Sequence, residues 1–272
     1  MAWTECIALE HVSERFEFAV ELSRLAGDLA RSYFARRDTL VIDVKGAQDW
    51  VSEADQAVET FIRDHIAKAW PNDGIYGEEH GNTAGTSGFD WVIDPIDGTT
   101  NFVNGIPVWT VVLAGVADGA TQVGVIHDPN ADETFAAQRG KGATVNGSPM
   151  RVASGVALDS GTISVGYSSR VEAAPLVSII AALVEQGALF HRNASGALSL
   201  AYIAAGRLLG YVEQHMNAWD CLAGQLMIEE AGGLVEPQDP GAMIREGGRV
   251  IAGPSGIFET LISIADDAGR RS

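Results

Sequence analysis

The amino-acid sequence predicts a mixed α/β (α+β) fold built in layers. Three observations predict it: two amphipathic helical stretches open the chain, strand-like segments follow one another from Phe89, and beyond Met150 strands and helices alternate. At 272 residues the chain exceeds the usual size of one domain, yet its 31 Gly and 9 Pro are spread without a linker-like cluster. One folding unit over residues 1–272 is expected, with possible lobes 1–155 and 156–272.

The elements follow in order. Leu22, Leu25, Ala26, Leu29, Ala30 and Tyr33 recur at helical spacing and place an amphipathic helix over about 13–35. Leu40-Val41-Ile42 is strand-like. Ser52, with Asp55 at the third helical position, caps a second helix whose apolar face carries Val58, Phe61, Ile62 and Ile66; Pro71 and Gly74 end it. Segments 91–93, 109–116, 122–126 and 133–137 are separated by Asp118-Gly119 and Asp128-Pro129 and followed by Gly140-Lys141-Gly142, the pattern of an antiparallel meander. Beyond Met150 come a strand (162–165), a helix (173–186), a strand, a helix (197–205), a strand (208–213) and a helix (219–231).

Eighteen basic against thirty-six acidic side chains give a net charge of −18, which repels a nucleic-acid backbone or an anionic membrane, so neither is expected as a partner. Only Cys6 and Cys221 are present, which suggests neither a disulfide framework nor a thiolate zinc site and fits a reducing cytoplasm. The first ten residues lack an export-signal pattern, and no apolar run approaches the roughly 20 residues of a membrane span. A cytoplasmic protein is expected.

The chemistry concentrates at Asp94-Pro95-Ile96-Asp97-Gly98-Thr99. Proline after an apolar strand is expected to stop it and fix a bend, holding both carboxylates at a strand end. Gly98-Thr99-Thr100-Asn101 has the residue types of a helix start, which put free backbone N–H groups and a hydroxyl beside those carboxylates, a setting for a phosphate oxygen. An acidic turn capping its own chain uses the same residues. Gly77-Glu78-Glu79 supplies two carboxylates after Ile75-Tyr76, where solvated loop glutamates are common. Asp220 lies in the first turn of a helix, a position that also suits the helix dipole alone.

Oxygen ligands without clustered His or Cys point to a hard cation, and Mg²⁺ is the usual choice beside phosphate. His80, His127, His191 and His215 match no metal motif and read as surface or packing residues. An aspartyl-phosphate phosphatase is disfavoured because two residues separate the two aspartates where that class has one (Asp-x-Asp), and no serine-hydrolase elbow, Walker loop or dinucleotide fingerprint occurs at a suitable strand-to-helix junction.

Taken together, Gly77-Glu78-Glu79, the run from Trp91 to Phe102 and Trp219-Asp220 with Ala223-Gly224 resemble the inositol monophosphatase family. Val51 to Asp55, Gly124 to Pro129, Arg139 to Ala143 and Glu229 to Gly233 extend the resemblance over most of the chain. It implies a layered α/β/α/β/α sandwich of the inositol monophosphatase and fructose-1,6-bisphosphatase type, a homodimer, and a lithium-sensitive, Mg²⁺-dependent phosphatase site with two or three Mg²⁺. By the resemblance, Glu78, Asp94 and the carbonyl of Ile96 would hold a first Mg²⁺, Asp94, Asp97 and Asp220 a second, and Glu78 would touch a third.

Thr99, oriented by Asp55, would position the attacking water, with Glu78 completing the catalytic set, and the N–H groups of Gly98 and Thr99 would hold phosphate oxygens. Lys45 matches a lysine that approaches the site in the family, although a solvated surface lysine reads the same; Glu79 is a further candidate. Glu213 matches the acidic position that contacts sugar hydroxyls in inositol-type enzymes, although an exposed strand-end glutamate reads the same; Ala194-Ser195-Gly196 aligns with the segment lining that pocket, Asp97 could also accept a hydroxyl hydrogen bond, and Asp220 is a further substrate-side candidate. Myo-inositol monophosphate ranks first as substrate, with histidinol phosphate and 3′,5′-bisphosphate nucleotides behind it. A reading from another class is a regulatory binding partner with residual phosphatase activity, as some bacterial relatives are thought to be with RNA-associated machinery.

Overall fold

Ser52 begins the best-defined local structure. In the computed structural model, which describes residues 2–46, 49–168 and 170–270 and side chains outside 2–10 and 42–51, its hydroxyl accepts from the Ala54 N–H at 3.2 Å, while Asp55 Oδ2 accepts from the Ser52 N–H at 2.8 Å. This reciprocal box starts α2 (Glu53–Ala69) where the sequence places it and fixes Asp55 by two bonds from Ser52, since the hydroxyl also donates to Oδ2 at 2.6 Å.

Before it runs α1 (Ala2–Phe34), which extends N-terminally beyond the expected 13–35. Its buried stripe is Ala19, Leu22, Ala26 and Ala30, at the spacing of one helix face; Leu25 falls outside that stripe and is 42 % exposed. Strands β1 (Ile42–Gly46) and β2 (Asp49–Ser52) pair antiparallel, so the strand expected at 40–42 begins at its last residue.

An eight-stranded sheet follows. Its strands are β3 (Gly74–Gly77), β4 (Gly81–Thr83), β5 (Phe89–Asp97), β6 (Thr110–Ala117), β7 (Ala120–Asp128), β8 (Glu133–Gln138), β9 (Gly142–Val145) and β10 (Ser148–Pro149), with α3 (Thr99–Val103) between β5 and β6. The order is β10-β9-β8-β7-β6-β5-β3-β4. From β5 to β10 it is the expected antiparallel meander, whereas β3 runs parallel to β5 with Gly77 opposite Ile93.

The remaining chain alternates β11 (Thr162–Val165), α4 (Ala173–Glu185), β12 (Leu189–His191), α5 (Gly196–Ala204), β13 (Gly210–Met216) and α6 (Ala218–Glu230), each within a few residues of its expected place. β14 (Leu234–Val235), α7 (Pro240–Glu246), β15 (Gly248–Gly253) and α8 (Phe258–Arg270) complete a five-stranded sheet of order β12-β11-β13-β15-β14.

Strand periodicity sorts the side chains into layers. Trp91 and Ile93 of β5 pack under α1 and α2 with Ile62 and Leu113, while Val92 points to the other face, toward α5 and α6. On β13, Tyr211 joins that middle layer and Val212 packs outward with Ile179 of α4 and Leu261 of α8. The result is helix, sheet, helix, sheet, helix: the five-layered sandwich.

Helix α6 lies between the sheets, and Cys221 through Ile228 are all buried, so this helix is sequestered on every side. Its approach to β7 depends on Gly124, where an added Cβ would lie 2.8 Å from the Ala223 carbonyl oxygen. Among the described residues no helix is long and apolar enough to cross a membrane.

Candidate active site

The site grows from the end of β5. Asp94 opposes Val112 and Asp97 opposes Thr110 on β6, so three steps along β5 match two along β6 and a bulge lies between them. Pro95 sits in this bulge. The expectation that proline stops the strand is therefore corrected: the strand continues to Asp97, because an extra residue in a bulge has no ladder bond to donate. The bulge presents both carboxylates at one end of the sheet, and the Ile96 N–H donates to Asp94 Oδ1 at 2.9 Å, fixing that side chain.

Gly98 takes φ 101°, and a Cβ there would meet the Val108 carbonyl oxygen at 3.0 Å, so the turn into α3 requires glycine. Thr99 follows as the first residue of α3. Its hydroxyl lies 3.2 Å from Asp55 Oδ1 and 3.1 Å from the Ile96 carbonyl oxygen, and shares its proton between these acceptors. Burial raises Asp55 to about 6, against the opposing bonds from Ser52.

Asp220 reaches the same place from the first turn of α6, where it accepts from the Asn217 N–H at 3.3 Å. One carboxylate oxygen each of Asp94, Asp97 and Asp220 lies within 4.8 Å of the others. Desolvation, and then the charges of Glu78, Asp97 and Asp220, push Asp94 well above the usual carboxylate range; Asp220 rises to about 7 through desolvation and Asp97. Converging carboxylates at this spacing, destabilised by one another, form a donor set of hard oxygens that fits a divalent cation.

Glu78 follows the last residue of β3, and its N–H donates to the Ile93 carbonyl at 3.3 Å, which sets it beside Asp94. It lines the same cleft, of about 230 Å³. Glu79 does not line it and acts on the site through its charge, which adds to the rise of Asp55. Lys45 lies on β1, and its side chain is outside the described residues.

The second half of the chain supplies the opposite wall. Ser195 Oγ donates to Asp97 Oδ2 at 2.5 Å, and the Gly196 and Ala197 N–H groups donate to the same carboxylate at 3.3 and 3.0 Å. Asp97 thus ties β5 to the start of α5. Burial raises its pKa while these donors oppose the rise. Ala194, also at the cleft, adopts φ 60°. Asn101 Nδ2 donates at 2.7 Å to both the Val108 and Asn193 carbonyls and joins the two walls.

Glu213 on β13 is buried, and Tyr211 Oη donates to its Oε2 at 2.5 Å; desolvation raises Glu213 to about 8. Gly166 leaves room for this pair, since a Cβ there would fall 1.9 Å from Glu213 Oε2. Sequence reasoning missed Tyr211, taken only as a strand residue, together with Gly166 and Asn101. A glycine directly after the strand Thr162–Val165 was the available signal for close packing. Of the four histidines weighed above, His215 lines the cleft, its Nε2 3.1 Å from the Glu246 carbonyl oxygen. His127 is buried against Thr134, and burial lowers its pKa to about 4.

The architecture and site define the class: a five-layered α/β protein with a buried carboxylate cluster able to hold a metal ion. The model of the inositol monophosphatase family matches residues 11–270, and the chain belongs to that family. It is 37 % identical over 248 residues to the Nus factor SuhB of Haemophilus influenzae, covering 90 % of this chain and 93 % of that protein. The solved extragenic suppressor protein suhB of Bartonella henselae is 32 % identical with a TM-score of 0.86, covering 95 % of this chain and 98 % of that one. The IMPase of Thermotoga maritima is 29 % identical with a TM-score of 0.84, covering 95 % and 99 %.

Proposed function

We propose that the protein hydrolyses a small phosphate monoester in a Mg²⁺-dependent reaction, with myo-inositol monophosphate as the favoured substrate. The observation that carries this is the convergence of Asp94, Asp97 and Asp220 within 4.8 Å, beside Glu78 and the Thr99–Asp55 pair. Glu78, Asp94, the Ile96 carbonyl, Asp97 and Asp220 would hold Mg²⁺, which when bound supplies charge neutralisation and water activation. Thr99 Oγ1, with its proton directed at Asp55 and Ile96, offers a lone pair to orient the attacking water. The N–H groups of Gly98 and Thr99 hold phosphate oxygens, and Glu213 with Asp97, Ala194, Ser195 and Gly196 forms the wall for the alcohol's hydroxyls.

A homodimer belongs to the same proposal, supported by Leu189 and Phe190 on edge strand β12, which are 68 % and 51 % exposed. So does a single folding unit, supported by a core in which Val92 and Ile126 of the first sheet pack with α6 and Val250 of the second. Because relatives carry the name Nus factor, a binding role is a second reading, and the expectation of no nucleic-acid partner is not retained.

Phosphate release from inositol-1-phosphate, glycerol-2-phosphate, histidinol phosphate, fructose-1,6-bisphosphate and adenosine-3′,5′-bisphosphate, with and without Mg²⁺ and beside Asp94→Asn, tests the proposal. Mg²⁺-dependent release lost in the variant supports it and ranks the substrates. No release from any ester sinks it and leaves the binding role.

A further inference from the structure

Glu59 is a charged side chain with 0 % exposure in the middle of α2, one turn beyond Asp55. Burying a carboxylate this completely is costly unless donors surround it. Three do. Its Oε2 accepts from the Glu79 N–H at 2.7 Å, and its Oε1 accepts from the His80 N–H at 3.1 Å and from Arg63 Nε at 2.7 Å. The two backbone donors belong to the turn that begins with Glu78. On the other side, the Glu78 N–H is held by the Ile93 carbonyl, next to Asp94.

We propose that Glu59 is a positioning residue for cation binding: it fixes the turn after β3 so that Glu78 meets Asp94. The inference rests on the phosphatase reading above, in which Glu78 is a cation ligand. Gly77 is part of the device, because a Cβ there would lie 2.1 Å from Glu59 Oε1 and would drive the carboxylate off the turn. Two carboxylates four residues apart on one helix thus divide the work: Asp55 receives the Thr99 hydroxyl and Glu59 receives the Glu78 turn. Arg63, which also donates to the Gly81 carbonyl, balances the charge without touching the site.

All three partners of Glu59 are donors, so only an acceptor-only group satisfies them. Glu59→Gln sets an amide N–H₂ against one of those donors and shifts the turn that carries Glu78, while no cation ligand is itself substituted. Calorimetric titration of Mg²⁺ into the metal-free full chain is the test, with thermal unfolding in chelator as the control for folding. Expected is Mg²⁺ binding weakened about tenfold or more in a folded variant. The Mg²⁺ concentration for half-maximal phosphate release rises by the same factor, while kcat at saturating Mg²⁺ is retained.

A purely structural role would lower the unfolding temperature and leave Mg²⁺ affinity unchanged; affinity within about twofold of wild type overturns the proposal. If Glu59→Gln does not fold, Glu59→Asp keeps the charge but withdraws it from the turn, and the same two outcomes decide. Absence of Mg²⁺ binding in the wild type overturns the phosphatase reading and the proposal together. Binding in the wild type that is unweakened in the variants overturns the proposal alone.

Discussion

Asp220→Asn is expected to make the metal-free protein more stable while weakening its response to Mg²⁺. In the fold without cation, Asp220 titrates at about 7 against an ordinary 3.8. The folded state therefore holds a proton that the unfolded state has lost between about pH 4 and about pH 7. This contribution is complete below about pH 4 and is lost as pH rises, until the folded carboxyl ionises near 7. The displacement corresponds to on the order of 4 kcal/mol by about pH 8.

Protons are shared within the cluster, so this figure is an upper bound for Asp220 alone. In a chain of this size each kcal/mol is roughly 2–4 °C in Tm. Asparagine keeps the oxygen that accepts from the Asn217 N–H, so the helix cap survives. Scanning calorimetry at about pH 5 and about pH 8, in chelator and in saturating Mg²⁺, reads the effect. Wild type should fall with pH in chelator and recover with Mg²⁺, most strongly at the higher pH; the variant should be flatter, higher at about pH 8 and less responsive to Mg²⁺. A variant less stable than wild type in chelator at that pH would refute electrostatic frustration in the cluster.

Thr99→Ala removes the hydroxyl shared by Asp55 and Ile96 and should lower kcat about a hundredfold, with little change in KM, measured by steady-state phosphate release. Tyr211→Phe frees Glu213 from its 2.5 Å bond. KM for inositol-1-phosphate should rise about five- to tenfold, while p-nitrophenyl phosphate, which has no hydroxyls on its leaving group, is hydrolysed unchanged; equal effects on both would remove Glu213 from hydroxyl recognition. Ala194→Gly relieves a non-glycine residue at φ 60° and should stabilise the fold by about 0.5–1 kcal/mol, seen as a higher midpoint in urea.

What was legible in the sequence was local. The box of Ser52 and Asp55, the pair Asp94 and Asp97 and the glycine at 98 are each written within a few residues; the structure starts α2 and α3 where they indicate, and only Asp94 differs, lying inside β5 and not at its end. Asp220 is ambiguous locally, since an aspartate at that helical position serves the cap as well as a cation; only the convergence with Asp94 and Asp97 distinguishes the uses. Partners distant in the chain were not legible. A mid-helix Glu59 reads as a solvated residue until the turn twenty residues later closes over it. Tyr211 reads as β-strand filling until Glu213 turns its carboxylate back toward it. The parallel direction of β3 has no short-range signature, and the proline rule failed at Pro95 because the bulge removed the bond that proline could not make.

Helix α6 forms the middle layer yet comes late in the chain. During synthesis, all eight strands of the first sheet precede it, so Val92, Val112, Ile126 and Phe135 face solvent on the sheet that α5 and α6 will cover. The nascent chain thus passes through a stage with an uncovered apolar sheet face, the kind of surface that holds chaperones or seeds aggregation. At that stage Asp94 and Asp97 are already made and Asp220 is not. On the proposed reading, a cation held jointly by Asp94, Asp97 and Asp220 would therefore require that the helix has docked and the face has closed.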